Sequence, residues 1–349
     1  MIKRVLFVGI CMVFFISATF LTARPKIYVI GDSTAASYNS TVYPLTGWAQ
    51  VLQGYFNIDS TLVADSARSG CSSKSFYTEG RWTPVKNELK KGDIVIIEFG
   101  HNDEKNDSKS TNAQTTFKQY LSIYINDAIS KGAIPILATP IERNYWNRDN
   151  MTLQETHVTS DSGDFPKAIR ELAAAKNIDL VDMAALTRTY FEKIGRDSTN
   201  KLFLILKKGQ YANYADGKTD YTHLQKRGAE TIAQIFVNDV LKQKIFPLYT
   251  WIKGSAPTAN KTVSSKKKVS TGKYTFVKNN TVFINENQNV QSFTLYDLHG
   301  RILNHQKVLF TSGAIPLNDK NGNSLSNGNY VFQYRMFDGS TKVLQVNKR

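Results

Sequence analysis

Several common catalytic signatures are missing from this 349-residue chain, which has no Gly-x-Ser-x-Gly elbow, no His-Glu-x-x-His pair and no Walker loop. The five histidines narrow the search. His299 and His305 fall late in the chain, and spacing places no partner beside His157. His223 closes Asp220-Tyr221-Thr222-His223. A carboxylate three residues from an imidazole can meet it within one turn and leave the second ring nitrogen as a general base; an exposed loop with two unrelated polar residues is the alternative. Ser33 stands in Gly31-Asp32-Ser33-Thr34 directly after an apolar run, and can be a nucleophile if a base reaches it or simply a helix N-cap. Asn102, in Gly100-His101-Asn102-Asp103, can donate to a developing oxyanion or form an Asx turn; one such donor is worth roughly 2.7–4 kcal/mol of transition-state stabilisation. Gly70 offers either a closely approaching backbone N–H or an ordinary loop.

The elements that must hold these residues alternate. Ile27–Ile30, Thr61–Ala64, Asp93–Phe99, Ile134–Thr139 and Ile178–Val181 are apolar, mostly β-branched runs that read as buried parallel strands. Between them, Trp48, Val51, Leu52 and Tyr55 lie at the spacing of one helix face, and Phe117–Ser130, Pro166–Lys176 and Gln225–Leu241 carry similar periodicity. Strand and helix in alternation predict right-handed βαβ units and a three-layer α/β/α doubly wound parallel sheet, flavodoxin-like in plan. Such sheets bind ligands beyond the carboxyl ends of their strands, where Ser33, Gly70 and Asn102 all fall. The three strand ends would supply nucleophile and oxyanion donors, and the late Asp-x-x-His the base and its orienter: a Ser-His-Asp ester hydrolase built without an elbow.

The net charge of +15 suggests a polyanionic partner until it is divided along the chain. Residues 1–23 carry +2, residues 24–250 only +3, residues 251–273 +6 and residues 274–349 +4. With no basic stripe or recognition-helix motif in the large segment, nucleic acid is excluded as a partner. Residues 1–23 read as a signal peptide: a cationic start, an apolar run too short for the roughly 20 residues of a membrane span, and a small residue at the end. Its removal leaves Cys71 as the single thiol, so no internal disulfide is expected. Residues 251–273, rich in Ser, Thr and Lys, read as a basic linker. Short alternating runs and Asn-Gly turns over 274–349 predict a small all-β sandwich.

These residues resemble a known family. Gly31-Asp32-Ser33, Gly70, Gly100-x-Asn102-Asp103 and Asp220-x-x-His223 are similar to the four ordered blocks of SGNH (GDSL-type) hydrolases. IGDST, SSKSF with EGRW, FGHND and DYTH resemble the rhamnogalacturonan acetylesterase-like branch over roughly residues 26–245. The resemblance implies Ser33 as nucleophile, His223 as base and then acid, Asp220 as orienting carboxylate, and an oxyanion hole of the Ser33 and Gly70 amides with the Asn102 side chain. Asp32, His101 and Asp103, beside these, are candidates for binding substrate. No metal or organic cofactor is implied.

The implied activity is removal of acetyl groups from plant cell-wall polysaccharide, pectic rhamnogalacturonan first, by a monomeric enzyme. Acetylxylan or lipid and thioester substrates are the alternatives within the superfamily, and an inactive polysaccharide-binding protein the alternative outside catalysis. The chain departs from the family pattern at Asp65, often Asn, and at Cys71, often Arg. Residues 274–349 resemble the C-terminal sorting domain of the type IX secretion system, with Phe293–Arg301 and Leu325–Tyr330 carrying the likeness. That implies the secretion machinery as a partner and a product exported to the surface or surroundings of a gram-negative bacterium.

Overall fold

A computed structural model of the chain describes residues 24–254, 274–278, 281–298, 300–336 and 341–348. The expected signal peptide, linker residues 255–273 and His299 lie outside the described residues. The first part runs β1 (Lys26–Gly31), β2 (Leu62–Asp65), α1 (Ser73–Thr78), α2 (Trp82–Glu88), β3 (Ile94–Glu98), α3 (Lys118–Ser130), β4 (Ile134–Ala138), the short pair β5 (Val158–Thr159) and β6 (Gly163–Asp164), α4 (Phe165–Lys176), β7 (Asp179–Val181), α5 (Met183–Ile194), α6 (Arg196–Asn200), β8 (Phe203–Leu206), β9 (Lys218–Leu224) and α7 (Lys226–Gln243).

Five strands pair in parallel in the order β2-β1-β3-β4-β7, the flavodoxin-like arrangement expected. Alternation within each strand divides the core between two faces. Ile27, Val29, Ile94, Ile96 and Ile136 pack with Met183, Phe191, Ile232 and Phe236 of α5 and α7. Tyr28, Ile30, Val95, Ile97 and Leu137 face Phe76, Trp82, Leu121, Tyr124 and Ile169 of α1 to α4. Strands buried on both sides need apolar residues at nearly every position, as Ile94-Val95-Ile96-Ile97 shows. α4 begins where Asp164 accepts from the Lys167 amide with Pro166 in its first turn, and ends at Asn177 in the left-handed region (φ 54°).

The sheet reverses direction of growth between β1 and β3, so the loops that follow these two strands diverge and open a crevice at their carboxyl ends. Gly31 is required there. A Cβ on it would stand 2.7 Å from the carbonyl oxygen of Glu98, its partner on β3. Some elements differ from the expectations, which did not include α1, α2, α5, α6 or the β5–β6 pair. Residues 49–55 form a 3₁₀ helix rather than an α-helix, fixed at its start by the Trp48 amide on the Thr34 carbonyl, although Trp48 and Leu52 are fully buried as their spacing implies. The β8–β9 ladder, antiparallel and outside the main sheet, was not expected at all.

Five further strands, β10 (Tyr274–Lys278), β11 (Thr281–Asp297), β12 (Ile302–Pro316), β13 (Gly328–Met336) and β14 (Thr341–Lys348), form an antiparallel sheet. The ladder of β11 is interrupted between Asn285 and Val290, and residues on both sides of the break, Ile284 and Phe293 among them, enter one core with Phe332, Tyr334 and Val346. This region meets the first through Phe246, Tyr296 and Val331, the two rings 4.5 Å apart. A cavity of about 1200 Å³ lies at the junction, lined among others by Lys26, Asp93, Lys244 and Arg301. It sits at the amino ends of β1 and β3, the edge of the sheet opposite Ser33.

Candidate active site

Ser33 follows β1 by two residues, on a turn rather than a helix cap. The Asp32 carboxylate accepts from both the amide and the hydroxyl of Thr34 (each 2.9 Å), which bends the chain sharply after the strand. The Tyr38 hydroxyl donates to the Ser33 carbonyl (2.8 Å), fixing the turn from the other side. The Ser33 Oγ is thereby presented to a residue 190 positions away: it lies 2.9 Å from His223 Nε2.

His223 is brought there by an irregularity in the β8–β9 ladder. Phe203 pairs with Leu224 and Leu204 with Asp220, so Tyr221, Thr222 and His223 stand out of the ladder as a bulge. Asp220 closes the bulge: Oδ1 accepts from the Thr222 and His223 amides (both 2.9 Å), while Oδ2 lies 2.7 Å from His223 Nδ1. Burial alone would raise the Asp220 carboxyl, but the His223 ring and these two amides hold it well below the ordinary carboxylate range. An ionised Asp220 accepts a proton-bearing Nδ1, which leaves Nε2 as the lone pair facing Ser33.

The three candidate oxyanion donors follow β1, β2 and β3. Among the described residues the Ser33 and Gly70 amides donate to no protein acceptor, so both are available to an oxyanion. Gly70 takes φ +78°, a conformation that glycine adopts without strain. Asn102 is 3% exposed, and the orientation of its side chain is determined by its neighbours. Lys105 Nζ, which can only donate, lies 2.6 Å from Oδ1, so Nδ2 is the atom 2.9 Å from the Cys71 carbonyl. One of its two hydrogens is taken there and the second remains.

The GDSL-like Lipase/Acylhydrolase family model matches residues 29–230, which include every one of these residues. The chain belongs to that family. Rhamnogalacturonan acetylesterase RhgT of Bacillus subtilis is 30% identical over 215 residues, covering 62% of this chain and 89% of that protein. A rhamnogalacturonan acetylesterase of Emericella nidulans is 26% identical, covering 62% and 84%. The crystal structure of the Bacillus subtilis protein YxiM superposes with a TM-score of 0.54 at 26% identity, over 64% of this chain and 58% of that one. The acylhydrolase is thus a carboxylic ester hydrolase whose β10–β14 region lies beyond the matched family segment.

Asp32, His101 and Asp103 of this acylhydrolase, the candidates for binding substrate, lie behind the Ser33 and Asn102 loops. All three are buried, and Asp32 and Asp103 are held by hydrogen bonds within the protein. Asp32 Oδ2 lies 3.1 Å from His101 Nδ1. Burial works against the Asp32 charge, but His101 and Thr34 bring its carboxyl down to about 2. Burial also lowers His101, so the neutral ring donates from Nδ1 and its Nε2, without a hydrogen-bond partner, carries only a lone pair. Asp103 accepts from the amide (3.0 Å) and hydroxyl (2.5 Å) of Ser73 and from Thr111 (3.0 Å). It ties the Gly70 loop to the Asn102 loop, and burial pushes its carboxyl up to about 7.

Glu98, the last residue of β3, escaped the sequence reading because it closes an apolar strand. It is fully buried, accepts from Trp48 Nε1 (3.0 Å) and lies 3.3 Å from the Thr34 hydroxyl. Burial and the nearby Asp32 charge push it up to about 8, so Asp32 is the anion of the two and Glu98 the neutral acid. Asp65 does the work of loop support, accepting from Ser37 (2.6 Å) and the Ala67 amide (3.0 Å). Cys71 is packed against Phe76 and its neighbours, and burial pushes its thiol up, as befits an inert core residue. Among the described residues no cluster of three or more His, Cys, Asp or Glu side chains is set to hold a metal ion.

Proposed function

We propose that the chain is an exported carbohydrate O-acetylesterase acting on plant cell-wall polysaccharide, pectic rhamnogalacturonan in particular, through an acyl-enzyme. The observation that carries this reading is the unbroken line Ser33 Oγ, His223 Nε2, His223 Nδ1, Asp220 Oδ2, with contacts of 2.9 and 2.7 Å. His223 takes the Ser33 proton as Oγ attacks the ester carbonyl; the tetrahedral oxyanion is held by the Ser33 and Gly70 amides and Asn102 Nδ2. The protonated imidazole then gives its proton to the departing sugar oxygen, and water attacks the acetyl-enzyme with His223 again as base.

The substrate class is supported by the names of the relatives RhgT and the Emericella nidulans enzyme, which cover most of their own lengths in the match. The loops after β2 and β3, rich in Ser, Lys, Asn and Asp, suit a polar polymer better than an acyl chain. Export rests on the pattern of residues 1–23, and passage through the type IX machinery on the likeness within residues 274–349. The reading is tested by acetate release from acetylated rhamnogalacturonan, acetylated xylan and chitin oligomers, with acetyl and octanoyl aryl esters in parallel. Preferential release from rhamnogalacturonan is the expected result. Preference for the octanoyl ester, with no acetate from any polysaccharide, would move the substrate to lipids.

A further inference from the structure

One largely buried side chain joins the two halves of the site. Arg143, beyond the end of β4, places Nη1 2.5 Å from the Thr222 hydroxyl in the bulge between Asp220 and His223. Its Nη2 lies 3.1 Å from the carbonyl of His101 and 2.6 Å from Glu104 Oε1, both on the loop that carries Asn102. The adjoining Asn144 amide donates to the Tyr221 carbonyl (2.8 Å), so side chain and backbone grip the same bulge.

The guanidinium is itself held in place. Glu104 Oε2 lies 2.7 Å from His157 Nδ1, and His157 Nε2 lies 2.8 Å from the Ile141 carbonyl. A carbonyl only accepts and an ionised carboxylate only accepts, so both ring nitrogens carry protons and His157 is an imidazolium. Burial opposes that charge, yet Glu104 raises His157 above its ordinary value, while His157 and Arg143 hold Glu104 down to about 2. Arg143 and Glu104 have side chains only 13% and 7% exposed, and His157 is buried at 2%. In such surroundings the charge-assisted contact of Arg143 Nε (3.2 Å) and Nη2 with the one oxygen Glu104 Oε1 is stiff, and no Lys could span all three acceptors.

We propose that Arg143 is a positioning residue for ester hydrolysis, its guanidinium braced by Glu104 and His157 so that the His223 bulge keeps its distance from the Asn102 loop. The inference rests on the roles given above to His223 and Asn102. The bulged residues Tyr221, Thr222 and His223 have no partner in the ladder. Without the link to Thr222 the imidazole drifts relative to the oxyanion donors, and misplacement of a reacting group by about 1 Å can cost on the order of 10²-fold in rate.

The test uses the full chain and p-nitrophenyl acetate, a small ester whose KM a remote positioning residue has no reason to change. Thr222→Val is expected to lower kcat about tenfold with KM unchanged. Thr222→Ser, which keeps the hydroxyl, should retain the wild-type kcat. Arg143→Lys, which keeps a cation beside Glu104, should lose about as much as Thr222→Val, and the double variant no more than the worse single, because one link can be broken only once. If Arg143→Lys does not fold, the two Thr222 variants decide alone. Wild-type kcat in Thr222→Val, multiplying losses in the double variant, or a raised KM at unchanged kcat would overturn the proposal. Ser33→Ala serves as the control: if it stays active, the mechanism fails rather than the inference; if it is inactive while Thr222→Val is unaffected, the inference alone fails.

Discussion

The two halves of the candidate site are built in opposite ways. Ser33, Asn102 and the acids behind them extend from central strands of a sheet covered on both faces, with Ser33 7%, Asn102 3% and Asp32 0% exposed. His223 and Asp220 have side chains 30% and 20% exposed and ride a bulge on a two-stranded ladder outside that sheet. The proposed nucleophile and oxyanion donors inherit their geometry from strand register, a property that single substitutions rarely move. The proposed base has to move protons and meet water, which suits a position that solvent can reach, and that position has to be secured by added contacts. Buried charge networks serve the first half; hydrogen bonds to one carboxylate and one guanidinium serve the second.

Substitutions in each half sharpen the contrast. The largest loss is expected for Ser33→Ala, with kcat for p-nitrophenyl acetate falling by roughly 10³ to 10⁶, since the triad acts as a unit. Asp220→Asn should cost on the order of 10⁴ in kcat, because an amide favours the wrong His223 tautomer. Its thermal midpoint should change little, the bulge being partly exposed; a large drop would mean that Asp220 is needed chiefly for folding. Asn102→Ala should lower kcat by about 10² to 10³ with KM unchanged, as loss of one oxyanion donor does. An equal loss in Asn102→Asp, which keeps the size but cannot donate when ionised, would agree; activity in that variant would break the assignment.

The smallest effect concerns pH and the buried half. Glu98 has a folded value near 8 against an ordinary 4.5, so its contribution to stability is fully present below about 4.5 and is lost as pH rises through about 8. Glu98→Gln abolishes that titration. The thermal midpoint of the variant relative to wild type should therefore rise between pH 5 and pH 8.5, whatever its offset at pH 5. A constant difference would show that Glu98 does not take up a proton on folding.

Much of this was legible in the sequence for a physical reason: each key group lies directly after an apolar run or within three residues of its partner. Ser33 and Asn102 follow strands whose β-branched residues announce them, and Asp220 and His223 interact locally enough for spacing to reveal the pair. The contacts that escaped are long-range and polar. Glu104 meets His157 across 53 residues and Arg143 meets Thr222 across 79, with no periodicity to mark them. The β8–β9 ladder escaped because Asp220-Tyr221-Thr222-His223 reads as a turn, whereas it is a bulge carried by a strand. Asp32, His101 and Asp103 were legible as important but not as buried, since a motif fixes which residues are together and not which way they face.

The central claim is that Ser33 is the acylated residue. Its most direct test is to treat the full chain with a fluorophosphonate ester, following residual hydrolysis of p-nitrophenyl acetate and the site of labelling by peptide mass spectrometry. The account predicts one phosphonyl group per chain, on Ser33, with activity lost in proportion to its incorporation. Full labelling of Ser33 with activity retained, or activity lost with the label on another residue, would contradict it.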